Sequence, residues 1–314
     1  MKFLTGNSKI NFMGSRKVTS ILSIILIVIS IGSLAVKQLN FGIDFTGGTL
    51  IGVTYEQPAD LNKARTQLKE AGFEDAVVKY FGTNTDVDIH VPPSDSIDNK
   101  KVGEMVMNAL QKDGSKVESR RQDFVGPQVG NELTEKGTQA IVMALIAILI
   151  YVALRFQLKL AAGSIAALAH DVIITAGIFS ILQLDFNLTI VAALLAVIGY
   201  SLNDTIVVFD RLRENFRKMR EVTPVEVVNA SINQTFGRTL MTSITTLLVL
   251  LALFFVGGED LRGFALALII GVLVGTYSSI YVASAMALKL GINKEDLMIP
   301  EKEGAEMDDF GPEI

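Results

Sequence analysis

Six stretches of mostly apolar residues divide the chain, at about 18–39, 138–156, 161–182, 188–209, 238–256 and 264–288. Each is long enough to cross a hydrocarbon core about 30 Å thick as a helix. The first follows Arg16 and Lys17, but its apolar run exceeds that of a cleaved leader and no small-x-small site follows it, so it reads as a retained helix. Between the first and second stretches the period changes. "TLIGVTYE" reads as a strand, 59–71 as a helix, and "AVVKYF" and "VDIHV" as strands joined by the turn "GTNTD". A second helix over about 95–112 and a strand near 116–125 complete a βαββαβ order, that of a split βαβ, ferredoxin-like unit. The expected fold is an all-α six-helix membrane bundle with a small α+β ferredoxin-like external domain inserted between helices 1 and 2.

Charge sets the expected orientation, because loops rich in Lys and Arg stay cytosolic. Lys2, Lys9, Arg16 and Lys17 precede helix 1, Arg155 and Lys159 flank the connection between helices 2 and 3, and Arg211, Arg213, Arg217, Lys218, Arg220 and Arg238 crowd that between helices 4 and 5. The alternate connections are poor in basic residues: "QLDFN" has none and "GGEDLRG" only Arg262. Residues 1–39 are therefore expected to be a cytosolic N-terminus with helix 1, 40–137 a periplasmic domain, 138–290 helices 2–6, and 291–314 an acidic, disordered cytosolic tail.

Composition agrees and removes some chemistry. Half of the 314 residues are hydrophobic and the mean hydropathy is +0.43, the range of a polytopic membrane protein. The chain has no cysteine, which excludes disulfides and thiolate metal sites, and its two histidines, His90 and His170, lie in regions of opposite character. No metal, organic cofactor, catalytic cluster or nucleic-acid partner is expected, and the chain reads as a non-enzyme.

Polar residues inside the spans are the candidate machinery. Helix 3 carries His170 and Asp171, with Thr175 and approximately Ser164 on the face of Asp171. Helix 4 carries Asn203 and Asp204, with Tyr200 one turn earlier. Helix 5 opens on a stripe of Arg238, Thr242 and Thr245 or Thr246. Such faces turn toward a bundle interior or a wet cavity, since lipid offers no partners. Plainer readings stand beside this one: threonines in spans bond back to their own helix, Arg238 serves as a snorkelling anchor, and a single histidine is a structural hydrogen-bonder. Asp204 resists them, lying about a turn and a half inside the cytosolic end at Asp210, too deep for a short side chain to reach water. Burial favours a neutral carboxyl and a nearby guanidinium favours the carboxylate. An aspartate that gains and loses Arg238 as helices move would bind and release a proton.

Gly271 and Gly275 form a GxxxG that reads as close packing and makes helix 6 a candidate partner interface. Asp44, Gly47 and Gly48 of "FGIDFTGGT" form a signature turn where helix 1 hands over to the external domain. A phosphate-binding reading of those glycines fails, because no Walker lysine follows.

In order and spacing, "FGIDFTGGT", "VGPQVGNEL", "AHDVIITAGIFS", "GYSLNDTIVVFDRLREN" and "INQTFGRTLMTSITT" resemble the SecF branch of the SecD/SecF family of bacterial export proteins. The small external domain and the "NDT" of helix 4 separate it from the SecD branch. The resemblance implies half of a twelve-span unit similar to RND exporters, paired with SecD and associated with SecYEG and YajC in the inner membrane. It also implies that the proton motive force is used to draw a preprotein outward after SecA-driven translocation, with protons as the coupling ion. Carried over by motif, proton movement falls on Asp204 and Arg238, and with less definition on Asp171, His170, Asn203 and Thr242. An RND-type half-transporter for small molecules or lipids, and a proton-inert scaffold for SecD, are the alternatives.

Overall fold

The computed structural model describes residues 10–94, 101–219 and 222–297, without the side chains of 259 and 260. The tail beyond 297, the first nine residues and the start of the helix expected from 95 lie outside the described residues. Six helices are long and apolar enough to span a membrane. They are α1 (Arg16–Val36), α5 (Pro127–Arg155), α6 (Leu158–Leu182), α7 (Leu188–Lys218), α8 (Pro224–Val256) and α9 (Gly258–Lys289). The segment between α1 and α5 holds β1 (Asn40–Phe41), α2 (Ile43–Thr46), β2 (Gly48–Tyr55), α3 (Leu61–Glu70), β3 (Val77–Phe81), β4 (Thr83–Val91), α4 (Val102–Gln111) and β5 (Val117–Val125). A short β6 (Asp185–Phe186) links α6 to α7.

Several helices outrun their apolar stretches. α5 starts at Pro127 rather than near 138, because Pro suits a first turn and the Glu132–Lys136 pair at i,i+4 supports the polar first turns despite Gly130 and Gly137. α8 starts at Pro224 rather than 238, fixed by a capping box in which Thr223 and Glu226 satisfy each other's backbone N–H. Hydropathy locates what lipid covers, and caps locate where the helix begins.

Strands β2 to β5 form one antiparallel sheet in the order β3-β4-β2-β5. Alternate residues Ile51, Val53, Val78, Val87 and Ile89 point to one face and bury against Leu68 of α3 and Val106 and Leu110 of α4. The opposite face carries Asp86, Asp88, Arg120 and Arg121. Asp88 accepts from Arg120 Nη2 at 2.9 Å and Arg121 Nη2 at 2.8 Å. Its carboxyl is nonetheless raised above the ordinary range by burial, which outweighs the pull of the two guanidinia.

The bundle core gathers Leu160, Phe209, Leu212, Val228, Ile232 and Ala283 around Phe12 and Met13 of the N-terminal segment. The glycines of α9 pack inside the chain: a Cβ on Gly271 would stand 2.0 Å from Val197 Cγ2, and one on Gly275 3.1 Å from Ser201 Cβ. They serve the contact of α9 with α7, which corrects the expectation that they mark a partner interface. The outward apolar faces belong to α1, α5 and α8, with Val18, Leu154 and Phe255 among the most exposed side chains.

Among the described residues the α+β domain meets the bundle at several places. β1 pairs in parallel with β6. β5 runs through Gly126 directly into α5. The turn between β3 and β4 lies against α9, where Arg262 Nη1 would be 3.2 Å from a Cβ on Gly82.

A buried polar core in the helix bundle

α6, α7 and α9 meet around Asp171, which is fully buried. Its Oδ1 faces His170 Nδ1 at 2.9 Å, and its Oδ2 accepts from Ser201 Oγ of α7 at 2.5 Å and Ser278 Oγ of α9 at 2.7 Å. Only small neighbours allow this approach: a Cβ on Gly275 would lie 3.5 Å from Asp171 Oδ2. His170 stacks on Tyr277 with ring centroids 6.0 Å apart, and its Nε2 is buried without a partner. Tyr277 in turn donates to Thr19 O of α1 at 2.8 Å. A second polar set adjoins it, with Tyr200 OH donating to Ser243 Oγ at 3.0 Å and Ser243 Oγ 2.7 Å from Thr276 Oγ1.

Asp204 stands one turn beyond Ser201 on the same helix. It is 2 % exposed and makes no hydrogen bond or ion pair with any described residue, and its Oδ2 is sealed from the surface. Arg238 lies beyond ion-pair distance, although its charge still acts on Asp204. The two side chains expected to meet and part as the helices move do not touch in this arrangement. Asn203 and Arg238 are both exposed on the outside of the chain. Thr242 gives its hydroxyl to its own helix, to Thr239 O at 2.9 Å and Arg238 O at 3.2 Å, and Thr245 does likewise to Met241 O at 2.9 Å. The threonine stripe is thus back-bonded, as the plainer reading held, and Ser164 bonds Leu160 O at 3.2 Å. Thr175 is buried without a partner for its hydroxyl.

Sequence reasoning missed Ser201 and Ser278, the residues that satisfy Asp171. Their signal was present: Gly271, Gly275 and Ser278 recur at i, i+4 and i+7 on one stripe of the last helix, and Ser201 follows Tyr200. Among the described residues, no three His, Asp or Glu side chains converge to hold a metal ion.

At the far end of α7, Asp210 accepts both its close contacts from Arg155 Nη2, at 2.6 and 2.5 Å, and Arg213 stands 3.8 Å away. At the near end lies the signature turn. Gly47 has φ +68° and Gly48 φ +108°, and a Cβ on Gly48 would come 2.4 Å from Val91 O. Asp44 Oδ2 accepts the backbone N–H of Leu188, the first residue of α7, at 2.9 Å.

These features define a multi-pass helical membrane protein with carboxylates buried among its spans and an α+β domain inserted after the first. Family models agree. The one described as "Protein export membrane protein SecD/SecF, C-terminal" matches residues 105–293, and the "SecD/SecF GG Motif" matches residues 32–59. The chain is 56 % identical over 313 residues to the protein translocase subunit SecF of Vibrio alginolyticus, covering 98 % of this chain and 99 % of that one. To SecF of Pseudomonas aeruginosa it is 51 % identical, covering 93 % and 95 %. The chain belongs to the SecD/SecF family, among relatives named SecF.

A crystal structure of SecDF from Thermus thermophilus, described as a translocon-associated membrane protein, superposes with a TM-score of 0.81 at 40 % identity over 91 % of this chain. This chain spans 39 % of the solved SecDF chain. A second SecDF structure, in a super-membrane-facing form, gives a TM-score of 0.66 at the same identity over 90 %.

Proposed function

We propose that this chain is the SecF subunit of the Sec translocase accessory complex. With SecD it uses the proton motive force to promote preprotein export across the inner membrane after SecA-driven translocation. One observation carries the proton reading: Asp204 is buried in a spanning helix with no hydrogen-bond partner, beside an arginine it does not touch. A carboxylate so placed is the group whose charge a proton removes most readily, and a closer approach of α7 and α8 would bring Arg238 to it. Protons are then the coupling ion, with Asn203, His170, Asp171 and Thr242 in supporting positions. One charge crossing 100 mV supplies about 2.3 kcal/mol, roughly a 50-fold bias on a two-state equilibrium. That magnitude suits many small steps, or rectified sliding, better than one large stroke. A solved SecDF described as a super-membrane-facing form supports a protein that takes more than one form.

Exposure of Asn203 and Arg238 on the spans supports a second subunit covering them, which in this reading is SecD. SecYEG, YajC, the translocating preprotein and membrane lipid complete the assembly. The basic residues at the Arg155, Lys159 and Arg211–Lys218 end support a cytosolic placement of both termini, with residues 40–137 periplasmic. The strand order β3-β4-β2-β5 and the βαββαβ sequence support a ferredoxin-like assignment of that domain.

The test is export into inverted vesicles with a proton gradient imposed or collapsed, comparing the native chain with Asp204→Asn and Arg238→Met. The gradient should accelerate export by the native chain, and neither variant should respond. A full response in Asp204→Asn removes the proton role and leaves a scaffold.

A further inference from the structure

Asp44 has no part in the proton step, yet it is bonded to the helix that carries Asp204. The four leading N–H groups of a helix lack intrahelical partners, and the helix dipole favours a carboxylate beside them. α7 has its own cap, Asn187 Oδ1, which accepts from Ile190 N at 3.1 Å. Asp44 adds a second cap from 144 positions away.

The residues around Asp44 stiffen this joint. Gly42 N donates to Phe186 O at 2.9 Å, and Phe41, Phe45 and Phe186 pack with ring centroids 5.5–6.2 Å apart. Gly47 and Gly48 then lead without slack into β2, an inner strand of the sheet. Asp204 lies sixteen residues along α7 from Leu188, about 24 Å of unbroken helix. Movement of α7 at Asp204 must carry the Leu188 amide with it, and that amide is held by the turn that opens the sheet. Helices α5 and α9 also pack on α7, a Cβ on Gly137 of α5 lying 3.2 Å from Leu188 Cδ2 and one on Gly263 of α9 3.3 Å from Ile190 Cδ1, but Asp44 is bonded to the α7 backbone itself.

We infer that Asp44 is a positioning residue that transmits displacement of α7 to the α+β domain. The inference rests on the proposed proton role of Asp204. Without Asp44 the domain remains attached through α5, α9 and the β1–β6 pairing but loses its charged link to α7.

The chain lacks cysteine, so introduced pairs label cleanly. Spin labels at Lys112→Cys on the domain and Leu182→Cys on α6 report the distance between them in the full chain, reconstituted with its SecD subunit. Four backgrounds are compared: native, Asp204→Asn as a mimic of the protonated state, Asp44→Ala, and both. Asp204→Asn should shift the distance in the native background, and the shift should fall at least threefold with Asp44→Ala. Asp44→Asn, which keeps a side-chain acceptor, should preserve it. An undiminished shift in Asp44→Ala overturns the inference and leaves the proton reading standing. No shift from Asp204→Asn, with unaltered gradient-driven export, removes the proton reading and the inference together.

A covalent rescue covers the case in which Asp44→Ala folds poorly. A Cβ on Gly42 would lie 3.3 Å from Asn187 Cβ, close to disulfide range. In the Asp44→Ala chain, the pair Gly42→Cys and Asn187→Cys should restore gradient-driven export when oxidised and lose it on reduction. Equal export in both redox states overturns the inference.

Discussion

Gly48→Ala isolates what the second glycine of "FTGGT" does. Its φ of +108° costs an L-residue about 1–2 kcal/mol, partly offset by about 0.4–1 kcal/mol from the less flexible unfolded chain. A methyl at this position also meets Val91 O at 2.4 Å and His90 Nε2 at 3.0 Å. Val91 pairs with Thr49 in the sheet, so its carbonyl cannot retreat without breaking register, and overpacking of this kind adds about 1–3 kcal/mol. Gly72 supplies the control, because its φ is +92° and nothing lies within 4 Å of its would-be Cβ. The expected losses are about 1 kcal/mol for Gly72→Ala and about 2–4 kcal/mol for Gly48→Ala. Gly47→Ala falls between, its neighbours standing at 3.3–3.5 Å. Hydrogen exchange of the Ile51 and Ile89 amides in the full chain measures this, since each 1.4 kcal/mol is roughly tenfold in protection. Gly48→Ala should lower protection at least tenfold more than Gly72→Ala. Equal losses would refute the argument, showing that backbone conformation alone requires glycine there.

Other substitutions test the bundle and the sheet. Ser201→Ala and Ser278→Ala should each destabilise the bundle by about 0.6–1.7 kcal/mol, the range of hydrogen bonds between membrane helices, and the double variant should cost more than their sum because Asp171 Oδ2 then has no donor; unfolding in mixed micelles reads this, and strict additivity counts against a shared acceptor. Gly271→Leu should block packing of α9 on α7, and Val197→Ala should partly rescue it, as judged by protease resistance of the folded chain. Asp86 is held below its ordinary 3.8 by hydrogen bonds from Thr54 and Thr83, with Arg120 and Arg262 helping. Its folded value is depressed, so its contribution to stability is present above 3.8 and is lost as pH falls below it. Exchange protection in β4 should therefore fall on acidification from pH 4, and Asp86→Asn should flatten that slope.

Apolar runs of spanning length made the six helices legible, and alternation with turn residues made the strand and helix order of the inserted segment legible. Helix starts were not, because Pro127 and Pro224 begin helices in polar sequence where hydropathy is silent. Asp204 and Asp171 stood out from sequence because a carboxylate in an apolar run is costly. Their different surroundings did not, since satisfaction depends on Ser201 and Ser278, and a serine in a span looks the same whether it bonds its own helix or a neighbour's carboxylate. Asp44 read only as part of a turn, because a cap supplied from 144 positions away leaves no local pattern.

The contrast between the two aspartates bears on why one is left bare. Asp171 and Asp204 are both inside the bundle, and α7 contributes to the surroundings of each. At Asp171 the helices supply two serine hydroxyls and an imidazole, so this fold is able to satisfy a buried carboxyl. At Asp204, one turn further along α7, it supplies none, although Thr205 is adjacent with a buried hydroxyl that is also unpartnered. A charged carboxylate at the centre of a span costs about 2.5–3.5 kcal/mol, comparable with the roughly 2.3 kcal/mol that one charge gains across 100 mV, and Asp204 lies short of that centre. The penalty is thus of the size a single proton can relieve. Asp171, by contrast, is tied to an imidazole and two serine hydroxyls on three helices. In the proposed mechanism Asp204 is the group whose proton the gradient would set, while the contacts of Asp171 with Ser201 and Ser278 join α6, α7 and α9.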